Sequence, residues 1–131
     1  ADPTGDVEGY DARAKVTILA NVVMGVPCLL NEVSCDGISA ITADDIQNAQ
    51  KNNSRWKLIG NVEINDGTLT ASVKPEMIAL THPLAGIMGP TNAVTFSTDL
   101  LGEITIVGAG AGKIETGFSI LSDLLEIHRL S

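Results

Sequence analysis

The sequence predicts an α+β fold, a two-layer domain with a mostly antiparallel sheet and helices on one face. Three observations carry that expectation. Apolar residues recur at helical spacing near both ends of the chain. Between them, from Arg55 to Val73, the pattern changes to period two. Asn65-Asp66-Gly67 stands between two such alternating runs, which is a strong hairpin signal.

The elements follow in order. Asp6 reads as the N-cap of a first helix, with Glu8 in its first turn, where the helix dipole favours negative charge. Val16, Leu19, Val22 and Val23 then recur at helical spacing, and Gly25 and Pro27 end the helix. A short extended piece is expected around Leu29–Cys35. Thr42-Ala-Asp-Asp45 reads as a capping box with Thr42 as the cap and Asp45 at the third helical position, where Glu or Gln is usual. This short helix runs to about Lys51 and stops at Asn52-Asn53. Trp56, Leu58, Val62 and Ile64 supply the outgoing strand, and Leu69, Ala71 and Val73 the return. Pro75 is expected to end that ladder, because proline cannot donate to it. Thr81–Gly89 reads as irregular chain or one helical turn. Ala93–Thr98 and Glu103–Val107 read as two more strands, joined at Asp99–Gly102. After Gly108-Ala-Gly-Ala-Gly112, residues Ile114, Phe118, Leu121, Leu124, Leu125 and Ile127 mark the apolar face of a last helix. With helices on one face only, the other face of the sheet needs a second subunit or another domain to cover it.

Composition narrows the function classes. A chain of 131 residues fits one domain, residues 1–131. Hydrophobic residues at 44% exclude a disordered chain. Sixteen acidic and eight basic residues give a net charge of −8, which opposes a nucleic-acid partner. Aromatics at 3% leave little for stacking bases. The longest stretches without Asp, Glu, Lys or Arg are Val16–Asn31 and Met77–Thr98. The first is shorter than a spanning helix needs, and the second is broken by Pro83, Gly86, Gly89 and Pro90, so no membrane span is expected. Cys28 and Cys35 read as reduced thiols of a cytoplasmic protein, although a bridge between them would close a small loop. No signal peptide or targeting motif is expected from these residues.

Several motifs read as structural. Gly108-Ala-Gly-Ala-Gly-Lys113 lacks phosphate-loop spacing, since Ile114 follows Lys113. It reads as a strand-to-helix turn that needs positive φ and close packing. His82 and His128 have no Cys or acidic residue at ligand spacing, so no metal site is expected. His82 before Pro83 reads as a loop-structuring residue, and His128 suits the dipole in a last helical turn. Asp44-Asp45 reads as capping rather than metal binding.

One cluster offers chemistry. Asp2, Asp6, Glu8 and Asp11 stand within the first eleven residues. Asp11 and Lys15 are four apart and share a helix face. One reading is an exposed ion pair worth about 0.3–0.5 kcal/mol. The other is a substrate pocket: carboxylates bind an ammonium group, and the lysine donates a proton to an oxyanion. The pairing serves that chemistry because a carboxylate keeps the lysine charged and fixes its geometry.

Asp2-Pro-Thr-x-Asp6-Val-Glu-Gly9-x-Asp11-Ala-x-x-Lys15 resembles the D-P-x-x-D-x-x-G-x-D-x-x-x-K motif of homoserine dehydrogenases. Glu32-Val-x-x-x-Gly37-Ile-Ser-x-Ile-Thr-x-x-Asp45-Ile is similar to that family's E-G-I-S-x-I-T-x-x-D-I segment, and Lys57-Leu-Ile-Gly60 follows at the expected distance. His82-Pro-Leu-Ala and Asn92-Ala-Val resemble its next loop and strand. Gly108-x-Gly-Ala-Gly112 with Thr116 and Asp123-Leu124 resembles its closing segment. The matches run in order from Asp2 to Leu125.

The resemblance implies that Asp11 and Lys15 are catalytic and that Asp6, with Asp11, binds the substrate. The implied reaction is reversible hydride transfer between NAD(P)H and aspartate 4-semialdehyde, giving homoserine in the biosynthesis of threonine and methionine. It implies NADP or NAD as cofactor, bound mainly by a nucleotide-binding domain outside these residues. Gly108, Gly110 and Gly112 are implied to approach the cofactor and substrate cleft. A homodimer is implied too. The sequence lacks the G-x-G-x-x-G fingerprint, the family's substrate-binding glutamate and its second catalytic lysine. The expectation is therefore the C-terminal part of a catalytic and dimerisation region, cut inside its first motif and inactive in isolation. Two alternatives stand beside it. One is a non-catalytic oligomerisation or small-ligand module of the same fold, and the other is a related dehydrogenase for another small amino acid.

Overall fold

A computed structural model describes residues 2–131. The chain divides into two compact units, residues 1–80 and 81–131. The first holds α1 (Thr4–Val7), α2 (Tyr10–Val22), β1 (Ser34–Cys35), α3 (Ala43–Lys51), β2 (Ser54–Asn65) and β3 (Thr68–Ala79). The second holds β4 (Thr91–Thr98), β5 (Gly102–Ala109) and α4 (Lys113–Leu130). The α+β class and the mainly antiparallel pairing agree with the sequence.

The long hairpin frames the first unit. β2 and β3 pair antiparallel from Ser54 opposite Ala79 to Asn65 opposite Thr68. Asp66 and Gly67 turn between them with φ of 50° and 77°, the two positive angles that a type I′ turn requires. The even residues of β2, Trp56 to Ile64, lie opposite the odd residues of β3, Leu69 to Met77. Period two therefore puts both sets on one face. That face carries the helices. Gly60 lies so near α2 that a Cβ there would stand 2.5 Å from Val16 Cγ2. Trp56 donates its indole N–H to the Asp45 carbonyl of α3 at 3.2 Å. Val16, Ala20, Cys28, Val33 and Val73 form the buried core, with Leu58, Val62, Leu69 and Ala71 packed against it.

The structure corrects three local expectations. The first helix is two helices, broken at Gly9, which sits at φ 78°. Asp6 lies inside α1 and Pro3 holds the cap position, so Asp6 is not a cap. Leu29–Cys35 is only partly extended: Leu30–Glu32 form a 3₁₀ turn before β1, and β1 joins the sheet parallel to β3. Pro75 does not end the ladder, since β3 continues through it to Ala79. The hydrogen bonds explain why. Asp36 N–H donates to the Val73 carbonyl at 2.8 Å, so the polar groups of odd β3 residues point away from β2. The Pro75 nitrogen points the same way, and β1, which pairs only with Ser72 and Val73, ends before reaching it. No ladder bond is lost.

The Thr42 capping box forms as expected. Asp45 N–H donates to Thr42 Oγ1 at 3.2 Å, and Thr42 N–H and Oγ1 donate back to the Asp45 carboxylate at 2.9 and 2.6 Å. α2 ends at Val22, and Gly25 follows at φ 66°; Asn21 ties the end of the helix to the chain beyond it. Its amide donates to the Cys28 carbonyl at 2.8 Å and accepts from Cys28 N–H at 3.3 Å. Cys28 and Cys35 are both free thiols.

In the second unit, β4 and β5 form their own two-stranded antiparallel sheet rather than extending the first. Leu84 N–H donates to His82 Nδ1 at 3.1 Å, so His82 caps the turn Pro83–Gly86 in its expected structural role. α4 carries the expected apolar face, yet none of its residues is buried. Among the described residues, no helix is long and apolar enough to cross a membrane.

Candidate active site

Gly9 sets the backbone of the site. Its φ of 78° lies where L side chains are strained. A Cβ there would also stand 3.1 Å from Val73 Cγ1 and 3.2 Å from Cys35 Sγ. Glycine thus turns the chain from α1 into α2 and lets α2 start directly on the sheet. The turn puts Asp6 on α1, Asp11 in the first turn of α2 and Lys15 one turn further.

The structure brings Asp11 and Lys15 together. Lys15 Nζ donates to Asp11 Oδ2 at 2.6 Å, with the side chains 48% and 56% exposed for lysine and aspartate. That exposure decides two things. As a structural pair it contributes only a few tenths of a kcal/mol, and an incoming molecule can reach both groups. Asp6 is an exposed residue as well. An ammonium held by a carboxylate is suited to stabilise a developing oxyanion and to give it a proton.

A second segment grips the turn that carries these residues. Cys35 Sγ donates to the Glu8 carbonyl at 3.3 Å, and Ile38 N–H donates to the Val7 carbonyl at 2.8 Å. Ser39 Oγ donates to the Glu8 carboxylate. Gly37 lies in backbone contact with the turn, where a Cβ would stand 2.6 Å from the Val7 carbonyl oxygen and 2.7 Å from Glu8 Cα. Glu8 and Ser39 are 31 positions apart, so no local spacing reveals their contact. The Gly37-Ile-Ser39 motif marked the segment without marking what it touches.

On the face of β2 turned away from the helices, burial pulls the Lys57 ammonium below its ordinary pKa, and the charge of Arg55 adds to the shift. Among the described residues, no group of three or more His, Cys, Asp or Glu stands together as metal ligands.

The glycine run lies in the second unit. Gly108 pairs with Asn92 across β4–β5, and Gly110 N–H donates to the Pro90 carbonyl at 2.8 Å. The Asn92 side chain lies against the Gly110 Cα, which leaves no room for a Cβ. Gly112 precedes α4, and the Glu115 carboxylate lies over it. A carboxylate over the helix N-terminus opposes an anionic phosphate there. At Gly110 and Gly112 the room left by the missing side chains is thus taken by Asn92 and Glu115 of the same unit.

Fold and site together define an α+β domain that presents a carboxylate–lysine pair beside a glycine-turned helix junction. The chain belongs to the homoserine dehydrogenase family, whose family model matches residues 1–125. It is 52% identical to an NAD(+)-dependent homoserine dehydrogenase of Pseudomonas canavaninivorans, over 98% of this chain and 37% of that protein. It is 44% identical to a homoserine dehydrogenase of Methanocaldococcus jannaschii, over 97% of this chain and 36% of that protein. A crystal structure of the S. aureus homoserine dehydrogenase superposes with a TM-score of 0.90 at 38% identity, covering 99% of this chain and 33% of that one. The enzyme from Thiobacillus denitrificans superposes at 0.91 with 35% identity, covering 99% of this chain and 30% of that one. The chain thus spans about a third of the length of these relatives.

Proposed function

We propose that this chain is the substrate-binding and catalytic part of a homoserine dehydrogenase, which interconverts aspartate 4-semialdehyde and homoserine. The observation that carries the reading is the Asp11–Lys15 pair at 2.6 Å, set in the motif that the family resemblance singles out. When bound, a nicotinamide cofactor would supply the hydride that the aldehyde carbon takes up in the reducing direction. Lys15 gives the carbonyl oxygen its proton, Asp11 orients the ammonium, and Asp6 with Asp11 binds the substrate's α-ammonium. Gly108, Gly110 and Gly112 are the cofactor's neighbours on this chain in that reading, on the strength of the family resemblance. The 52% identical relative is named NAD(+)-dependent, so NAD is the first cofactor to test against NADP. The same reading includes a homodimer in the cytoplasm, serving threonine and methionine biosynthesis.

The test is Lys15→Ala in the full-length enzyme. Loss of its proton donor lowers kcat by about 10²–10⁴-fold while dimers and thermal midpoint stay as in the parent. Unchanged turnover with disrupted assembly would instead support a non-catalytic module of the same fold.

A further inference from the structure

We infer that Glu8 and Ser39 form a clasp that sets the position of Asp6 relative to Asp11 and Lys15, and that both are positioning residues for the amino-acid substrate. The inference rests on the proposed roles of those three residues. Asp6 rides on α1, a helix of only four residues. So short a helix has little stability of its own. Asp11 and Lys15 ride on α2, whose Val16 and Ala20 are in the core. α2 is thus anchored, whereas α1 depends on what holds the junction at Val7, Glu8 and Gly9. Glycine at Gly9 adds conformational freedom at that hinge.

Residues 35–39 restrain the hinge. The segment is itself fixed to the sheet, since Asp36 N–H donates to the Val73 carbonyl at 2.8 Å. It leads directly into the Thr42 cap of α3, through Ile41 N–H donating to the Ile38 carbonyl at 3.0 Å. From this anchored strap, Ile38 holds Val7 through the backbone, and Cys35 holds the Glu8 carbonyl. Ser39 is the point where the strap holds a side chain, the Glu8 carboxylate. Gly37 permits the approach, because a Cβ would stand 2.8 Å from Glu8 Oε2 and closer still to the backbone. Glu8 itself is half-buried at the junction, while Asp6 is exposed. Its carboxylate is engaged by Ser39, so its role is to hold the turn rather than to meet substrate.

A loosened hinge leaves Lys15 and Asp11 in place and lets Asp6 drift. The loss then falls on binding of the amino-acid substrate and spares the cofactor. In the full-length enzyme, Glu8→Ala and Ser39→Ala each raise KM for aspartate semialdehyde about tenfold, with kcat changed less than about threefold and KM for the nicotinamide cofactor unchanged. The double substitution costs no more than either single one, because both remove one contact. Glu8→Gln restores most of the affinity, since its amide oxygen still accepts from Ser39. An unchanged KM in Glu8→Ala and Ser39→Ala overturns the clasp, as does a rise in both substrates' KM together with a fall in thermal midpoint. Asp6→Asn serves as the reference. If it raises KM while the Glu8 and Ser39 variants do not, the clasp fails and the proposed site stands. If it too leaves KM unchanged, the proposed role of Asp6 fails first.

Discussion

Gly9 shows how much one residue can decide. Its positive φ splits a helix that spacing alone predicts as continuous. Its missing Cβ lets α2 begin against Val73 and Cys35. Gly9→Ala therefore combines a left-handed strain of about 1–2 kcal/mol with crowding by the Val73 and Cys35 side chains. We expect a net destabilisation of about 2–3 kcal/mol, read as a lower denaturant midpoint with an unchanged slope. A substitution that leaves the midpoint in place would show that the junction tolerates another geometry. Lys15 presents the opposite case. Its partner is four positions away in the sequence and 2.6 Å away in space, so its geometry was legible from spacing, while the role proposed for it rests on the surrounding motif.

At the scale of elements, α3 is the clearest instance of local sequence controlling structure. Thr42 and Asp45 satisfy one another's backbone donors in a reciprocal box. The Asp45 carboxyl is held below its ordinary pKa of 3.8, first by the Thr42 hydroxyl and then by the Thr42 backbone N–H. A depressed carboxylate pKa contributes stability above the ordinary value, and that contribution is lost as pH falls through 3.8 toward the folded-state value. Asp45→Asn should flatten this part of the acid limb. Urea midpoints measured from neutral pH down to about pH 3 check the sign, and an acid limb identical to the parent's would refute it. The hairpin shows the limit of such local rules. Proline ends strands because it lacks a donor, yet Pro75 sits mid-strand because β1 stops short of its nitrogen. The rule was sound, but the neighbour it presumes is absent at that position.

At the scale of the molecule, the first unit has a core and the second has very little of one. Seven hydrophobic residues are buried among those described, and Ala85 is the one of them beyond residue 80. Ile114, Phe118 and Ile127 of α4 remain 84%, 69% and 64% exposed, more than an isolated apolar helix face tolerates. The chain spans about a third of its relatives' length, its sequence has no dinucleotide fingerprint, and the Glu115 carboxylate lies over the N-terminus of α4. The 131 residues alone should accordingly show no saturable NADH binding by calorimetry and no dehydrogenase turnover. Tight NADH binding by this chain would overturn that expectation and reassign the glycine run as a nucleotide site.

The sequence by itself determined the α+β class, the Thr42 capping box, the Asp66-Gly67 turn and the Asp11–Lys15 pair. Each depends on residues within a few positions of one another, where period and spacing act directly. Its ordered motifs also determined the family. Tertiary structure alone decided the break at Gly9, the survival of β3 through Pro75 and the grip of Ser39 on Glu8. Those outcomes depend on which strand lies alongside and which loop folds back over the junction. Contacts between positions tens of residues apart leave no periodic trace in the chain, and only the packed fold brings them together.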